Sequence, residues 1–483
     1  MAPTLSYTSG KDIACRILSN SFSALPISTQ CSEILSLYQL CIAQGFPFNY
    51  LFREAVHAVS ADIFAHNETN LSDACRLTEA IWGLNFSTAQ SLYDMRGYQR
   101  FGVEQFYNFL QRQPLSPAFQ RRRPIANRKL KIGYLCHHAD YNPGNSSGLM
   151  IQNVVAAHSL DPESEIYFYC VQWREHKYLD DIKKLGVKAK SLTQELYFNR
   201  LDILLDSIRS DELDVIISDL PSPIATWLFK NRVASMQMYL DPGMPHWDFP
   251  ELDWVLLCNK EYSSGFCIPQ KKTISIIIPA TTQQDHPQNF VIKTRNYASK
   301  PIRFGCISRL IKISNEWIAC AQIILRQNQG TKLFIAGPGD AALVTEKLAQ
   351  EFGDRFTLIN EMIDISSHLD KFDVLLDTFP FIGGFSCMEI MSQGIPVVSF
   401  LAGEWDYLIR STRDPNITTN SIDEYIGLSH KLNHDPAFFN QASIDSKLLH
   451  DKLTNPEFIA NEISSALDHA IYEINHVKHS QRS

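Results

Sequence analysis

The sequence predicts an α/β protein with two facing Rossmann-like domains, preceded by an all-α N-terminal domain. Short apolar runs rich in β-branched residues alternate with helical stretches from Lys129 onward. That alternation is typical of parallel sheets covered by crossover helices. The runs form two sets with a break near residue 300, and they are almost absent before residue 128. With 483 residues, 45% hydrophobic and 20% charged, the chain can bury several cores.

Helical periodicity dominates the first segment, in the stretches CSEILSLYQLCIAQ, FREAVHAVSADIF, ACRLTEAIWGL and VEQFYNFLQRQ. We therefore predict a helical domain over residues 1–127. A degenerate helical-repeat array is the alternative, but no repeat period is evident. The proline- and arginine-containing stretch PLSPAFQRRRPIANRK marks its end.

Two sets of predicted strands follow. The first, over residues 128–300, contains KIGYLC, EIYFYCVQW, DVIISDL, MQMYL and DWVLL. The second, over residues 301–455, contains IRFGCIS, KLFIAG, FTLI, DVLLDT and PVVSF, and a last helix and tail occupy residues 456–483. Ligands of such sheets bind beyond the carboxyl ends of the strands, so two facing sheets predict a cleft between them.

Composition argues against several classes of protein. The formal net charge of -8 opposes nucleic-acid binding, although residues 121–123 form a short basic run. The 11 cysteines are scattered without CxxC pairs, which favours reduced thiols over disulfides or a zinc site. We find no apolar run of membrane-spanning length and no secretory signal, so we expect a cytoplasmic protein without an integral membrane segment.

The most informative segment is residues 377–400, DTFPFIGGFSCMEIMSQGIPVVSF. It reads as a buried strand, a loop and a helix that ends at Gly394 and Pro396. Gly383 and Gly384 allow a ligand to approach the backbone, and the free amides at the helix start favour an anion such as a diphosphate.

Ser386 and Glu389 in that helix have two interpretations. They form a capping box, in which the serine accepts from a backbone amide and the glutamate reaches back. Alternatively, Glu389 faces the ligand and accepts hydrogen bonds from vicinal hydroxyls such as those of a ribose. The spacing favours neither interpretation.

This segment resembles the donor site of the two-domain (GT-B) glycosyltransferases, particularly the family of O-GlcNAc transferase, the SPINDLY-type transferases and the cytoplasmic bacterial N-glycosyltransferases. Further similar segments cover most of residues 129–451: KIGYLCHHADYNPGNSSGLM, MYLDPGMPHWDFPELDWVLL, FGCISRLIKISNEW and SIDEYIGLSHKLNHDPAF. We expect metal-independent transfer, because no DxD motif of the kind that a metal-dependent transferase would use is evident at a strand end. The resemblance implies inverting transfer of a sugar to a protein Asn or Ser/Thr side chain. It implies a UDP-sugar as co-substrate and no further cofactor.

The resemblance also implies roles for single residues. Lys312 matches the lysine that contacts the donor diphosphate, with Ser308 and Arg309 beside it. Many family members have a histidine and two threonines where this chain has, in order, Gly384, Phe385 and Ser386. The family aspartate that binds the ribose is matched by Glu389, and a histidine of the first half is matched by Asn145.

The chemistry of glycosyl transfer supports the same basic residues. Expelling a nucleotide diphosphate demands positive charge near the leaving group, which Lys312 and Arg309 supply. Gly337 and Pro338 follow a predicted strand and either approach the nucleotide base or form a tight turn. His368 is a candidate neighbour of the uracil or ribose.

The acceptor requires a group that takes or orients its proton. His137, His138 and Asp140 follow the strand KIGYLC and are the candidates, although such residues also occur in ordinary polar loops. Consecutive side chains of an extended chain point to opposite faces, which disfavours a metal there. His246 either faces the sugar or acceptor or packs its own loop.

Three other functions remain open. The same fold can act on a lipid or glycan acceptor, or it can be a non-catalytic nucleotide-binding scaffold with a degenerate donor site. A nucleotide-sugar epimerase uses the same two-half architecture. In the transferase hypothesis, the helical domain helps to select the acceptor.

Overall fold

A computed structural model describes most of the chain. The described residues are 7–44, 49–88, 97–114, 119, 129–139, 146–173, 176–191, 201–219, 222–241, 250–257, 273–277, 301–401 and 412–480. The boundaries predicted at residues 127 and 300 fall outside these ranges.

The N-terminal region is helical, as predicted, and its described residues contain no strand. Ser9 begins the first helix by accepting a hydrogen bond from the Asp12 amide, which satisfies one free donor of the first turn. The helices are α1 Gly10–Ile17, α2 Asn20–Ser23, α3 Ile27–Gln44, α4 Asn49–Ala65, α5 Leu71–Thr88 and α6 Glu104–Gln111, with a π-helical turn at Gln99–Val103 before α6.

The first sheet has seven strands in the order β3-β2-β1-β4-β5-β6-β7, and all its described registers are parallel. Its strands are β1 Leu130–Ala139, β2 Ser164–Trp173, β3 Lys188–Ser191, β4 Val215–Ser218, β5 Met236–Asp241, β6 Trp254–Leu257 and β7 Thr273–Ser275. The helices between these strands are α7 Ser146–His158, α8 His176–Lys184, α9 Leu201–Arg209 and α10 Pro223–Asn231.

The second sheet has six strands in the order β10-β9-β8-β11-β12-β13, again with parallel registers. Its strands are β8 Arg303–Ile307, β9 Lys332–Ala336, β10 Phe356–Ile359, β11 Val374–Leu376, β12 Val397–Phe400 and β13 Thr418–Thr419. Its helices are α11 Asn315–Gln327, α12 Ala342–Val344, α13 Gln350–Phe352, α14 Phe385–Met391, α15 Ile422–His434, α16 Pro436–Thr454 and α17 Pro456–Ser480.

Strand order reverses once in each sheet. The chain winds from β1 to one edge and then returns beside β1 as β4, and it repeats this pattern at β8 and β11. Ligands of doubly wound sheets bind where the order reverses, beyond the carboxyl ends of the two central strands. The predicted α/β class with two parallel sheets is therefore confirmed, and the two reversals mark where to look for sites.

The core of the second sheet lies on both of its faces. Phe304 and Trp317 are fully buried on one face, and Phe372 and Ile390 are fully buried on the other. The apolar, β-branched composition that predicted these strands matches their burial on both faces.

The chain groups into two compact units. The first comprises Met1–Asp140, Pro162–Val255 and Ile268–Lys272, and the second comprises Tyr141–Asp161, Leu256–Cys267 and Thr273–Ser483. Within the first unit, the Glu251 carboxylate accepts from the Tyr107 hydroxyl at 2.9 Å and from the Lys230 ammonium at 2.8 Å. These contacts link helix α6 to the segment before β6 and, through Glu251, to helix α10. None of the described helices has the length and apolar character needed to cross a membrane.

Candidate functional site

Two loops meet where strand order reverses in the second sheet. One loop follows β8 and contains a 3₁₀ turn at Leu310–Lys312, and the other follows β11. The Lys312 ammonium, half-buried, donates a hydrogen bond to the Ile382 carbonyl at 3.1 Å. Lys312 thus holds the two loops together, and burial lowers the pKa of its ammonium.

Arg309 and Ser308 lie in the same loop, and both are half-buried. Burial lowers the pKa of the Arg309 guanidinium. The charge of Arg309 adds to the burial that lowers the pKa of Lys312, and the Asp377 carboxylate opposes that lowering. Two cations therefore lie close together at this edge, in partly dehydrated surroundings. An anionic ligand would relieve both the repulsion and the dehydration.

Gly337 and Pro338 form the turn after β9 and pack against the loop after β8. The Leu310 amide donates to the Pro338 carbonyl at 3.0 Å. Gly337 has φ +150, and a Cβ there would lie 1.8 Å from the Ser308 carbonyl oxygen. The tight-turn interpretation of Gly337 is supported, because only glycine allows the two loops this close approach.

Asp377 holds the loop after β11 from beneath. One carboxylate oxygen accepts from the Thr378 amide at 3.0 Å and the Gly383 amide at 2.7 Å. The other accepts from the Ser399 hydroxyl at 3.0 Å and pairs with the Arg413 guanidinium at 3.1 Å. Both members of this ion pair are buried, and Arg413 also donates to the Gly383 carbonyl.

This support was not predicted from the sequence. An aspartate directly after a buried strand is a signal that was available for Asp377. Arg413 gives no local signal, because it lies 36 residues further along the chain.

Gly384 is the N-cap of α14 and provides no side-chain hydrogen bond. Ser386 is the second residue inside this helix, so the capping-box interpretation of Ser386 and Glu389 is wrong. A Cβ at Gly383 would lie 2.5 Å from the Cys387 sulfur, whereas a Cβ at Gly384 would meet no atom within 4 Å. Gly383 is therefore required for packing, and Gly384 leaves open space above the loop. The Phe385 side chain lies outside the described part of the structure.

Glu389 lies one turn into α14 and is half-buried. Burial, together with the nearby Asp364 carboxylate, raises the pKa of Glu389 to about 7. Within the described residues no hydrogen bond reaches its carboxylate. The Glu389 carboxylate, partly buried beside the loop, can therefore accept a hydrogen bond from a ligand hydroxyl.

His368 ends a 3₁₀ turn at Ile365–His368. Its ring stacks on Phe334 with the centroids 5.9 Å apart, and its Nδ1 lies 2.8 Å from the Ser367 hydroxyl. That His368 lies next to the base or the ribose of a bound nucleotide stays a prediction.

The acceptor-side candidates are described only in part. His137 is buried, and its Nε2 lies 3.7 Å from a Glu79 carboxylate oxygen of helix α5. The His138 backbone continues β1 opposite Gln172, but its side chain lies outside the described part. Three further candidates also lie outside it: Asp140, Asn145 and His246.

Comparison with known proteins gives a fold but no sequence family. No protein-family model and no curated protein matches the chain. A variant of the O-GlcNAc transferase of Thermobaculum terrenum is similar in structure with a TM-score of 0.61 and 17% identity, over 96% of this chain and 98% of that chain. A glycosyltransferase of Rickettsia africae is similar with a TM-score of 0.50 and 11% identity, over 71% of this chain and 99% of that chain. The chain therefore has the GT-B fold that the resemblance implied.

Proposed function

We propose that this protein is a glycosyltransferase that moves a sugar from a UDP-sugar to a protein Asn or Ser/Thr side chain, with inversion and without a metal or other cofactor. The observation that carries the proposal is the placement of Lys312 beside Arg309 where strand order reverses in the second sheet. The names of the similar structures, which include an O-GlcNAc transferase, support sugar transfer as the class of reaction.

The diphosphate of the donor is bound by the loop that holds Lys312 and Arg309. As the bond between the anomeric carbon and the phosphate oxygen breaks, its electrons leave with UDP and negative charge grows on the phosphate. Cations fixed by hydrogen bonds stabilise that charge without reorganising. The Lys312 bond to the Ile382 carbonyl fixes the ammonium in this way.

The ribose is bound by Glu389, whose carboxylate lacks a hydrogen-bond partner among the described residues. Two vicinal hydroxyls donating to this carboxylate would offset the burial that raises its pKa. Gly383 and Gly384 keep the loop above Asp377 free of side chains, so a phosphate can approach the backbone.

A non-catalytic nucleotide-binding scaffold is the second candidate. The observation that favours it is Gly384, which offers no side-chain donor to a ligand although a Cβ there would meet only open space. A scaffold would bind UDP and release no sugar from any UDP-sugar.

Calorimetric titration with UDP tests the donor site, with GDP as the comparison nucleotide. Wild-type protein is expected to bind UDP saturably, and Lys312→Ala is expected to weaken binding at least about tenfold, as the loss of a charge-assisted contact does. Lys332→Ala is the matched control, because Lys332 is an exposed lysine of the same sheet. It lies at the amino end of β9, whereas Lys312 lies beyond the carboxyl end of β8. Equal UDP affinity in all three proteins would show that Lys312 does not bind the donor diphosphate.

A further inference from the structure

The first sheet also reverses its strand order, and a buried carboxylate lies at that point. The order reverses between β1 and β4. His137 lies near the carboxyl end of β1, and Asp219 directly follows β4. This edge is where a doubly wound sheet binds its ligand.

Asp219 is attached to β1 by its backbone and by one carboxylate oxygen. Its amide donates to the Leu135 carbonyl at 3.3 Å, and its Oδ1 accepts from the His137 amide at 3.2 Å. The residue is only 1% exposed, and its Oδ2 has no hydrogen-bond partner among the residues that the structure describes.

An unpartnered oxygen on a buried carboxylate is costly. Burying a polar atom without a hydrogen bond destabilises a protein by about 1–3 kcal/mol, and more if the group is charged. Burial raises the pKa of Asp219 to about 6, and nearby His137 opposes that shift. Such an atom calls for a group that completes its hydrogen bonding, such as an ordered water, an ion or a ligand, and the position of Asp219 at the ligand-binding edge of the sheet favours a ligand.

We propose that Oδ2 of Asp219 binds a hydrogen-bond donor of the substrate, an O–H or N–H group held at the carboxyl edge of the first sheet. This inference rests on the proposed function and deepens it. The group belongs either to the acceptor or to the sugar of the donor, and both sources offer the same chemistry to the carboxylate.

Asp219→Asn is the variant that isolates Oδ2. The amide keeps an oxygen that can accept from the His137 backbone, and it replaces Oδ2 by an NH₂ group that cannot accept. Asp414→Asn is the matched control, because Asp414 is another buried aspartate whose pKa is raised by burial and whose Oδ2 has no partner among the described side chains and backbone groups. Asp414 lies in the second unit, where its Oδ1 accepts from the Asn416 amide at 2.9 Å.

Four quantities are measured on wild type and both variants: melting temperature, calorimetric affinity for UDP, affinity for a UDP-sugar, and turnover of that UDP-sugar. The donor is whichever of UDP-N-acetylglucosamine, UDP-glucose and UDP-galactose wild type hydrolyses fastest. Water serves as the acceptor, and the released UDP is quantified.

We expect Asp219→Asn to melt at or above the wild-type temperature and to bind UDP normally. A sugar hydroxyl on Asp219 predicts UDP-sugar affinity lowered at least about tenfold. An acceptor group on Asp219 predicts normal UDP-sugar affinity and turnover lowered at least about tenfold. Asp414→Asn should match wild type in UDP affinity, in UDP-sugar affinity and in turnover.

Two results would overturn the inference: a stable Asp219→Asn variant with wild-type affinity and turnover, or a variant whose melting temperature falls, since the carboxylate would then be structural. If wild-type protein does not bind UDP, the proposed function is wrong, and the inference about Asp219 is then wrong as well. UDP binding without hydrolysis of any donor would favour the scaffold and would also remove the inference.

Discussion

The two sheets place an aspartate at the same point of the fold and use it differently. Asp219 follows β4 in VIISDLP and Asp377 follows β11 in VLLDTFP, each beside the central strand where strand order reverses. The Asp377 carboxylate accepts five hydrogen bonds, two of them from Arg413. The Asp219 carboxylate accepts a backbone hydrogen bond from His137, and its other oxygen has no partner within the described part of the chain. At the two points where strand order reverses, the carboxylate that pairs with a buried cation supports a loop, whereas the carboxylate without a cation among the described residues keeps an oxygen that we propose binds the substrate.

The largest effect is expected from removing Arg413, the cation that pairs with Asp377 and has no counterpart at Asp219 in the described part of the structure. Arg413→Ala leaves the Asp377 carboxylate buried without its partner, and breaking a buried ion pair in this way costs about 3–5 kcal/mol of unfolding free energy. Denaturant unfolding should show that loss, and UDP affinity should fall because the Gly383 loop is released.

Arg326→Ala is the control for that variant. The Arg326 side chain is 57% exposed and pairs with Glu351 at 2.5 Å on the surface of the same unit. Exposed pairs contribute about 0–1 kcal/mol. Equal losses in the two variants would contradict a supporting role for the buried pair.

A smaller effect is expected where the β8 and β9 loops touch. Gly337→Ala introduces a Cβ against the Ser308 carbonyl in a backbone conformation that L residues rarely adopt, so we expect a loss of about 1–3 kcal/mol. UDP affinity should fall with it, because the loop that holds Lys312 moves. Gly353→Ala controls for conformation alone, since Gly353 has φ +51 but a Cβ there would meet nothing within 4 Å. An effect no larger than that of Gly353→Ala would show that the two loops need no close contact.

The smallest and pH-dependent effect concerns Glu389. Its pKa rises from 4.5 to about 7 in the folded protein, so the folded state holds this proton more tightly than the unfolded state. The contribution of Glu389 to the free energy of unfolding is fully present below about pH 4.5 and is lost as the pH rises to about 7. Glu389→Gln should therefore be more stable than wild type at pH 8, by on the order of 1 kcal/mol of unfolding free energy, and should match wild type at about pH 4.

Glu389→Gln also separates stability from binding. If Glu389 binds the ribose, UDP affinity falls in the variant at pH 8 even though its melting temperature rises. Wild-type UDP affinity at pH 8 would reject the ribose role. A variant less stable at both pH values would contradict the burial that raises the pKa.

The sequence was most informative about the fold and one loop of the site. Periodicity of two kinds separated the helical region from the sheets, because burial on one face of a helix or on both faces of a strand leaves different patterns. The quoted segments placed Lys312 and Gly383 in loops after strands, where the structure has them. Neither sugar, acceptor nor donor nucleotide follows from these patterns.

What the sequence determined by itself is local: where strands and helices form, and which glycines and cations follow the strands. Only the tertiary structure decided that Arg413 neutralises Asp377, that α14 begins after Gly384 so that Ser386 is no cap, and that Asp219 keeps an unpartnered oxygen. The physical reason is that hydrogen-bond satisfaction depends on residues far apart in the chain, and the same aspartate is a support or a binding group according to which distant side chain reaches it.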